Sequence, residues 1–242
     1  MCRLLALISL WLAPTVASAE QPVFGMMPRW ANGWGVQSLY ELNVSDDVRY
    51  HALHIEGVYT WARWIRVTYK VPLVLESQIS GTQKSERGVG VPLIALPLKK
   101  YFNRDGLSGS WSLTPRMSLP VATTKVGQND EYGGVGVSYA HETYVDAVDL
   151  GSAIHVAVDG AIEAHGVTSY GRKVHFSDTF GIGRLRLDGK WRTTGAAEIR
   201  LGGVVYARIS DRVHVQATLM RSVWTEQTAP SLSVRGGVGF VF

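Results

Sequence analysis

Cysteine is all but missing from this chain: its 242 residues hold one, Cys2. That residue lies within Met1 to Ala19, a segment that reads as a secretory signal. Arg3 supplies its charge, Leu4 to Leu12 its apolar run, and Ala17-Ser18-Ala19 a small-x-small cleavage site before Glu20. The run is too short for a membrane helix and Pro14 interrupts it. Removing the segment leaves roughly 223 residues without a thiol, which excludes disulfide staples and thiolate chemistry. Nowhere later do eighteen apolar residues follow one another, so no transmembrane helix is expected. Runs of Lys or Arg are missing too. The net charge of +4, about +3 without Arg3, is spread along the chain and forms no nucleic-acid patch. What remains is an exported chain with no helical anchor.

What is abundant is glycine, with 26 residues, together with eight Trp and ten Tyr, a composition suited to short strands flanked by aromatic girdles. The pattern that accompanies it has a period of two, the mark of strands with one apolar and one polar face. From Gly33 to Val44, Val36, Tyr40, Leu42 and Val44 alternate with Gln37, Glu41 and Asn43. From Arg49 to Thr60, Leu53, Ile55 and Tyr59 stand against His54, Glu56 and Thr60. After a tight turn at Trp61-Ala62, Ile65, Val67, Tyr69, Val71, Leu73 and Leu75 form one face, and Trp64, Arg66, Thr68, Lys70 and Glu76 the other. Ser110 to Val121 repeats the scheme with Trp111, Leu113, Met117 and Leu119 opposite Ser110, Ser112, Thr114, Arg116 and Ser118. Further strands are expected at 135–145, 150–158, 196–209 and 213–223, and three within Asp159 to Arg192. About twelve strands are predicted, with ten as the alternative.

A soluble sheet also alternates. Here the connections alternate in length as well: Gln78 to Gly88 and Ala122 to Tyr132 read as long polar loops, Asn103 to Gly109 and Asp146-Ala147 as short turns. Long loops on one side and short turns on the other are how outer-membrane barrels are built. The last twelve residues, SLSVRGGVGFVF, alternate Leu232, Val234, Gly236, Val238, Phe240 and Phe242 with polar or tiny residues. Ending on Phe242, with Val238 and Phe240 before it, they resemble the C-terminal signal by which the outer-membrane assembly machinery receives β-barrels. The expected architecture is therefore all-β, one antiparallel transmembrane barrel over residues 20–242 in the bacterial outer membrane. Such strands must close on themselves, because an unpaired edge costs several kcal/mol per group in hydrocarbon.

Between residues 57 and 121 a narrower likeness appears. Gly57-Val58-Tyr59-Thr60-Trp61, Trp64-Ile65-Arg66-Val67-Thr68, PLIALPLKKYFN from Pro92 to Asn103, Gly109-Ser110-Trp111 and Pro115 resemble the family named for the MetA pathway of phenol degradation. Phe240-Val241-Phe242 fits its ending. The resemblance implies an outer-membrane transporter of small, often aromatic, compounds. Two departures stand out: Gly88 to Val91 lacks the family's Asp after a Gly pair, and Pro120-Val121-Ala122 replaces its Pro-x-Gly.

If the apolar faces meet lipid, the lumen receives Glu41, His54, Glu56, Arg66, Lys70, Lys99, Arg116, Glu142, His155, Glu198, Arg200, Arg208 and Arg235. Basic groups lead. Rings of Arg and Lys attract anions, which predicts a passive channel for small polar or anionic solutes. The alternative is a structural or surface-interaction barrel: a small bore in which the same charges pair and close the lumen. A catalytic role is not expected, since His141-Glu142 lacks a partnering Ser motif. Asp46-Asp47 and Asn129-Asp130-Glu131 read as solvated loop tips rather than Ca²⁺ ligands. Val89-Gly90-Val91 and Gly181-Ile182-Gly183 precede no helix and read as strand glycines. No metal or cofactor is expected.

Overall fold

A computed structural model describes residues 33–46, 48–62, 64–79, 85–104, 107–124, 133–143, 149–157, 162–176, 179–193, 197–226 and 231–242. The expected signal, Asn129-Asp130-Glu131 and the Asp146-Ala147 turn lie outside these residues.

The described regular structure is entirely strand. It comprises β1 (Gly33–Ser45), β2 (Val48–Ala62), β3 (Ile65–Ile79), β4 (Ser85–Val89) and β5 (Leu93–Ala95). Then come β6 (Leu98–Arg104), β7 (Leu107–Ser118), β8 (Gly133–Thr143), β9 (Asp149–Ala157) and β10 (Ile162–Phe176). The last four are β11 (Thr179–Arg192), β12 (Ala197–Arg208), β13 (Val213–Glu226) and β14 (Ser231–Val241). Every pairing between them is antiparallel, and the ring is complete: β1 pairs with β14 on one side and β2 on the other, β2 with β3, and so on around to β13. β4, β5 and β6 share one place between β3 and β7, so the fourteen segments occupy twelve strand positions. The described residues form a closed twelve-stranded β-barrel.

The broken fourth position has a chemical cause. Pro92 and Pro97 have no N–H to give a ladder, so pairing stops beside each of them. Carbonyls still serve: Gly90 N donates to Pro72 O at 2.8 Å, and Leu96 N to Pro115 O at 2.9 Å. The outer edge of β4 is covered by the chain leaving β7, where Val89 O accepts from Thr123 N at 2.8 Å and Thr124 N at 3.3 Å.

Four expectations are corrected here. The presumed loop from Gln78 to Gly88 is mostly strand, since β3 runs to Ile79 and β4 starts at Ser85. Asp159 to Arg192 holds two long strands, β10 and β11, not three; their fourteen or so residues each suit a tilted membrane crossing. The alternation in β3 also slips. His51 is opposite Glu76 but Ala52 is opposite Val74, so Leu75 is an inserted residue. Beyond it the faces exchange: Ser77 is buried inside and Glu76 joins His51 on the outer wall. Trp64 is likewise no lumen residue, being well exposed at the turn into β3.

Burial is inverted relative to a soluble protein. Gln37, Glu41, His54, Glu56, Arg66, Ser112, Thr114, Glu163 and His214 are buried, while Trp34, Trp111, Leu113, Leu185, Leu201, Val205, Leu219 and Phe240 are exposed. An apolar outer wall spread over so many of the described strands far exceeds the few hundred Å² of a soluble protein's largest patch. Lipid is the solvent that such a wall matches. Trp34, Trp61, Trp64, Trp111 and Phe242 gather toward the end that carries both strand termini, and Trp191 and Trp224 toward the other. Trp34 and Val44 are separated along β1 by about 25 Å of barrel height, the thickness of a transmembrane barrel's apolar band.

The registers also set the bore. Val36 is opposite Gly57, Gly57 opposite Tyr69, Tyr69 opposite Ile94, Ile94 opposite Met117 and Met117 opposite Gly133. Extending each register around the ring returns to β1 about 16 residues further along. At about 3.3 Å per residue and about 4.8 Å between strands, that stagger tilts twelve strands by about 42° and holds opposite backbones about 25 Å apart. The tilt falls within the membrane-barrel range. The bore between backbones is wider than strand composition alone implied.

On the outer wall, the Tyr69 ring lies over its register partner Gly57, where a Cβ would come within 2.3 Å of the ring carbons. Gly57→Ala is therefore expected to expel the ring and cost about 1–2 kcal/mol. A lowered urea midpoint for the refolded barrel, recovered by adding Tyr69→Leu, is the check.

Candidate functional site

The inward side of each strand is defined by its partners, because residues directly opposite share a face. On β14, β1, β2 and β3 the inward residues build one continuous network. Arg235 Nη2 donates to Glu41 Oε1 at 2.9 Å, joining strands 194 residues apart in sequence. Glu41 Oε2 is 2.6 Å from His54 Nε2. One step toward the end bearing the termini, Gln37 Nε2 donates to Glu56 Oε2 at 2.5 Å, and Lys70 Nζ is 3.7 Å from Glu56 Oε1. Charge pairs of this kind keep buried polar groups satisfied. Leu39, Val58 and Val74 are buried between them, so this wall is not uniformly polar.

A second network lines β10 to β14. β11 reads TFGIGRLRLDGKWR, and its even positions Arg184, Arg186, Asp188, Lys190 and Arg192 face in, while Leu185, Leu187 and Trp191 face out and are exposed. Arg186 Nε donates to Asp188 Oδ1 at 2.5 Å. Glu163 on β10, opposite Arg192, pairs with it and lies 3.5 Å from Lys190 Nζ. On β12, Arg200 Nε is 3.5 Å from Glu198 Oε2, and Glu198 also accepts from Ser222 and from Ser231 Oγ. Arg208 pairs with Asp211 at the turn that follows.

Each residue expected in the lumen can now be placed. Arg66 is buried opposite Thr60, Lys99 shares a face with Ser112, and Arg116 is opposite buried Ala95. Lys70, Arg200, Arg208, Arg235, Glu56 and Glu198 occupy the networks just described. Glu142 and His155 have register positions on β8 and β9, but their side chains lie outside the described residues. At the terminus, Val238, Phe240 and Phe242 fall on the outer face, and Phe242 N donates to Trp34 O at 2.9 Å across the closing seam.

Missed from the sequence were Arg184, Arg186, Asp188, Lys190, Arg192 and Glu163. The alternation R-L-R-L-D-G-K-W-R was the signal, concealed while this segment was divided among three strands. β11 stands six positions from β3, directly across the barrel. Followed through the registers, Lys70, Arg116, Arg186 and Arg235 fall within roughly 6 Å of one another in height. Basic groups thus ring the middle of the bore from several sides.

Among solved structures, the barrel is similar to the COG4313 outer membrane channel from Pseudomonas putida F1. The TM-score is 0.59 at 13% identity, over 89% of this chain and 98% of that one. The KdgM porin is similar over 86% of this chain and 99% of its own, with a TM-score of 0.54 at 10% identity. The NanC porin gives a TM-score of 0.50 at 8% identity, over 86% of this chain and 100% of that one. The fold is that of the outer-membrane β-barrels. No family model matches the sequence, and no curated protein matches it. The narrower likeness to the phenol-degradation family is therefore not supported by a family match.

Proposed function

We propose that this barrel is a passive outer-membrane channel for small organic anions, aromatic acids among them. The observation that carries the reading is the excess of basic groups on the inner wall, with Arg184, Arg186, Lys190 and Arg200 facing Lys70 and Arg116 across the bore and Arg235 nearby on β14. In a low-dielectric tube such groups lower the energy of an entering anion and raise that of a cation. With opposite backbones about 25 Å apart, inward side chains of about 6 Å leave room for a dehydrated small molecule. One neighbour, the KdgM porin, has been solved in complex with oligogalacturonate, an acidic sugar polymer. The aromatic component rests on the residues between 57 and 121 that resemble the phenol-degradation family. The terminal strand, with Val238, Phe240 and Phe242 on its outer face, would serve as the assembly signal, and the leader before Glu20 as the export signal.

A second reading draws support from the ion pairs. Glu41–Arg235, Glu56–Lys70 and Glu163–Arg192 neutralise part of the wall, and a lumen whose charges were all paired would be structural. Single-channel recording of the refolded protein in a planar bilayer separates the two. Discrete openings whose reversal potential in a salt gradient favours chloride, and block by added phenolic acids, are expected. A folded barrel that never conducts would establish the closed reading instead.

A further inference from the structure

Toward the end away from the termini the outer wall carries several arginines among its apolar residues; near the other end Lys100, opposite exposed Trp111, also faces out. The register row Arg221, Leu232, Val44, Arg49 crosses β13, β14, β1 and β2, and all four residues face out. Outward direction follows from the partners: Arg221 is opposite Leu201 as well as Leu232, both exposed, and Arg49 is opposite exposed Val44. Two positions further round, Arg87 on β4 is exposed and follows inward Glu86, which accepts from buried Thr124 at 2.8 Å; on β3 between Arg49 and Arg87, Glu76 also faces out and leaves the group a net positive charge. Below Arg49, its Nε donates to His51 Nε2 at 3.0 Å, and His51 Nδ1 lies 2.5 Å from the Tyr40 hydroxyl.

The strand tilt converts this row into heights. Arg49 and Arg87 come out a few ångströms above Trp224, at the level of lipid headgroups, on the side away from the termini. Arg221 lies about three residues below Trp224, near enough for its guanidinium to reach the same level along the apolar wall. Between Arg221 and Arg49 lie Leu232 and Val44, a span of about 11 Å around the barrel. An arginine facing hydrocarbon is costly unless it meets an anion, and guanidinium pairs best with phosphate oxygens.

We propose that Arg49, Arg87 and Arg221 form a binding site for the bisphosphorylated glycolipid of the outer leaflet, lipid A. Its two phosphates would sit on the arginines and its acyl chains on Leu232, Val44 and Leu201. The spacing of cations on either side of an apolar strip favours this headgroup over a lipid with one phosphate. This site rests on the membrane reading of the barrel but not on an open lumen.

The test is native mass spectrometry of the refolded barrel released from vesicles containing bisphosphorylated lipid A, dephosphorylated lipid A or phosphatidylglycerol. The expected result is a one-to-one adduct retained with bisphosphorylated lipid A, and at least fivefold weaker with the other two. Arg49→Gln, Arg87→Gln and Arg221→Gln together should reduce retention at least fivefold. Replacing the same three with Lys should restore most of it, and heat-modifiable migration shows that every variant is folded. Equal retention by wild type and the Gln variant, or of lipids with and without phosphate, would overturn the site. A wild-type barrel that inserts into none of the vesicles would sink the membrane reading along with it.

Discussion

Replacing Arg184, Arg186, Lys190 and Arg200 together with Gln is expected to abolish most of the anion preference proposed for this barrel. These four groups stand on β11 and β12, across the bore from Lys70 and Arg116. The carboxylates of Glu163, Asp188 and Glu198 stay in place, so the wall loses positive charge only. Glu163 keeps Arg192 as a partner, which limits the structural damage. The chloride-to-potassium permeability ratio should fall at least about threefold, because each removed charge acts across a narrow, poorly screened tube. The effect should be largest near 0.1 M salt, where the screening length is about 10 Å, and weak at 1 M, where it is about 3 Å. Reversal potentials measured at both salt concentrations decide it. An unchanged ratio at low salt would mean that ions do not pass along this wall.

The second large effect concerns closure of the ring. Glu41→Leu removes the shared partner of Arg235 and His54 at the β1–β14 seam, where the first and last described strands meet. Glu41 and His54 side chains are only 8% and 5% exposed, so neither partner left behind can be fully hydrated. Stranding a buried charge typically costs about 3–5 kcal/mol. Arg235, with 26% of its side chain exposed, can recover some water, so about 2–3 kcal/mol is expected. Equilibrium unfolding in urea, followed by tryptophan fluorescence, measures it. Adding Arg235→Met should return at least half of the loss, since no unpaired cation then remains. If the double variant is no more stable than Glu41→Leu alone, the pair does not hold the seam.

Much of the barrel was legible from alternation. β1, β2, β7 and β14 carry clean period-two patterns, and in each the apolar set lies on the outer wall, as lipid demands. Where the pattern was hidden, a physical cause is visible. Pro92 and Pro97 cut one strand into three segments, so its apolar residues never form a continuous run. Leu75 is an inserted residue, and no sequence pattern marks where a bulge will exchange the two faces. β10 and β11 were obscured by glycines that fit a turn as readily as a strand; their pairing over fourteen consecutive partners resolves them as one hairpin.

The sequence by itself determined the class: a chain with a single cysteine, Cys2, whose alternating faces and alternating turn lengths suit strands closed in lipid. It also determined which residue types face inward, because parity along a strand is local. The tertiary structure alone decided the number of positions in the ring, the stagger and hence the bore. It decided as well that the β11 basic ladder lies opposite β3, that Glu41 meets Arg235 across the seam, and that Arg221 and Arg49 share one outward row. Each of these depends on register between distant strands, and register is set by the closure of the whole sheet rather than by any one segment.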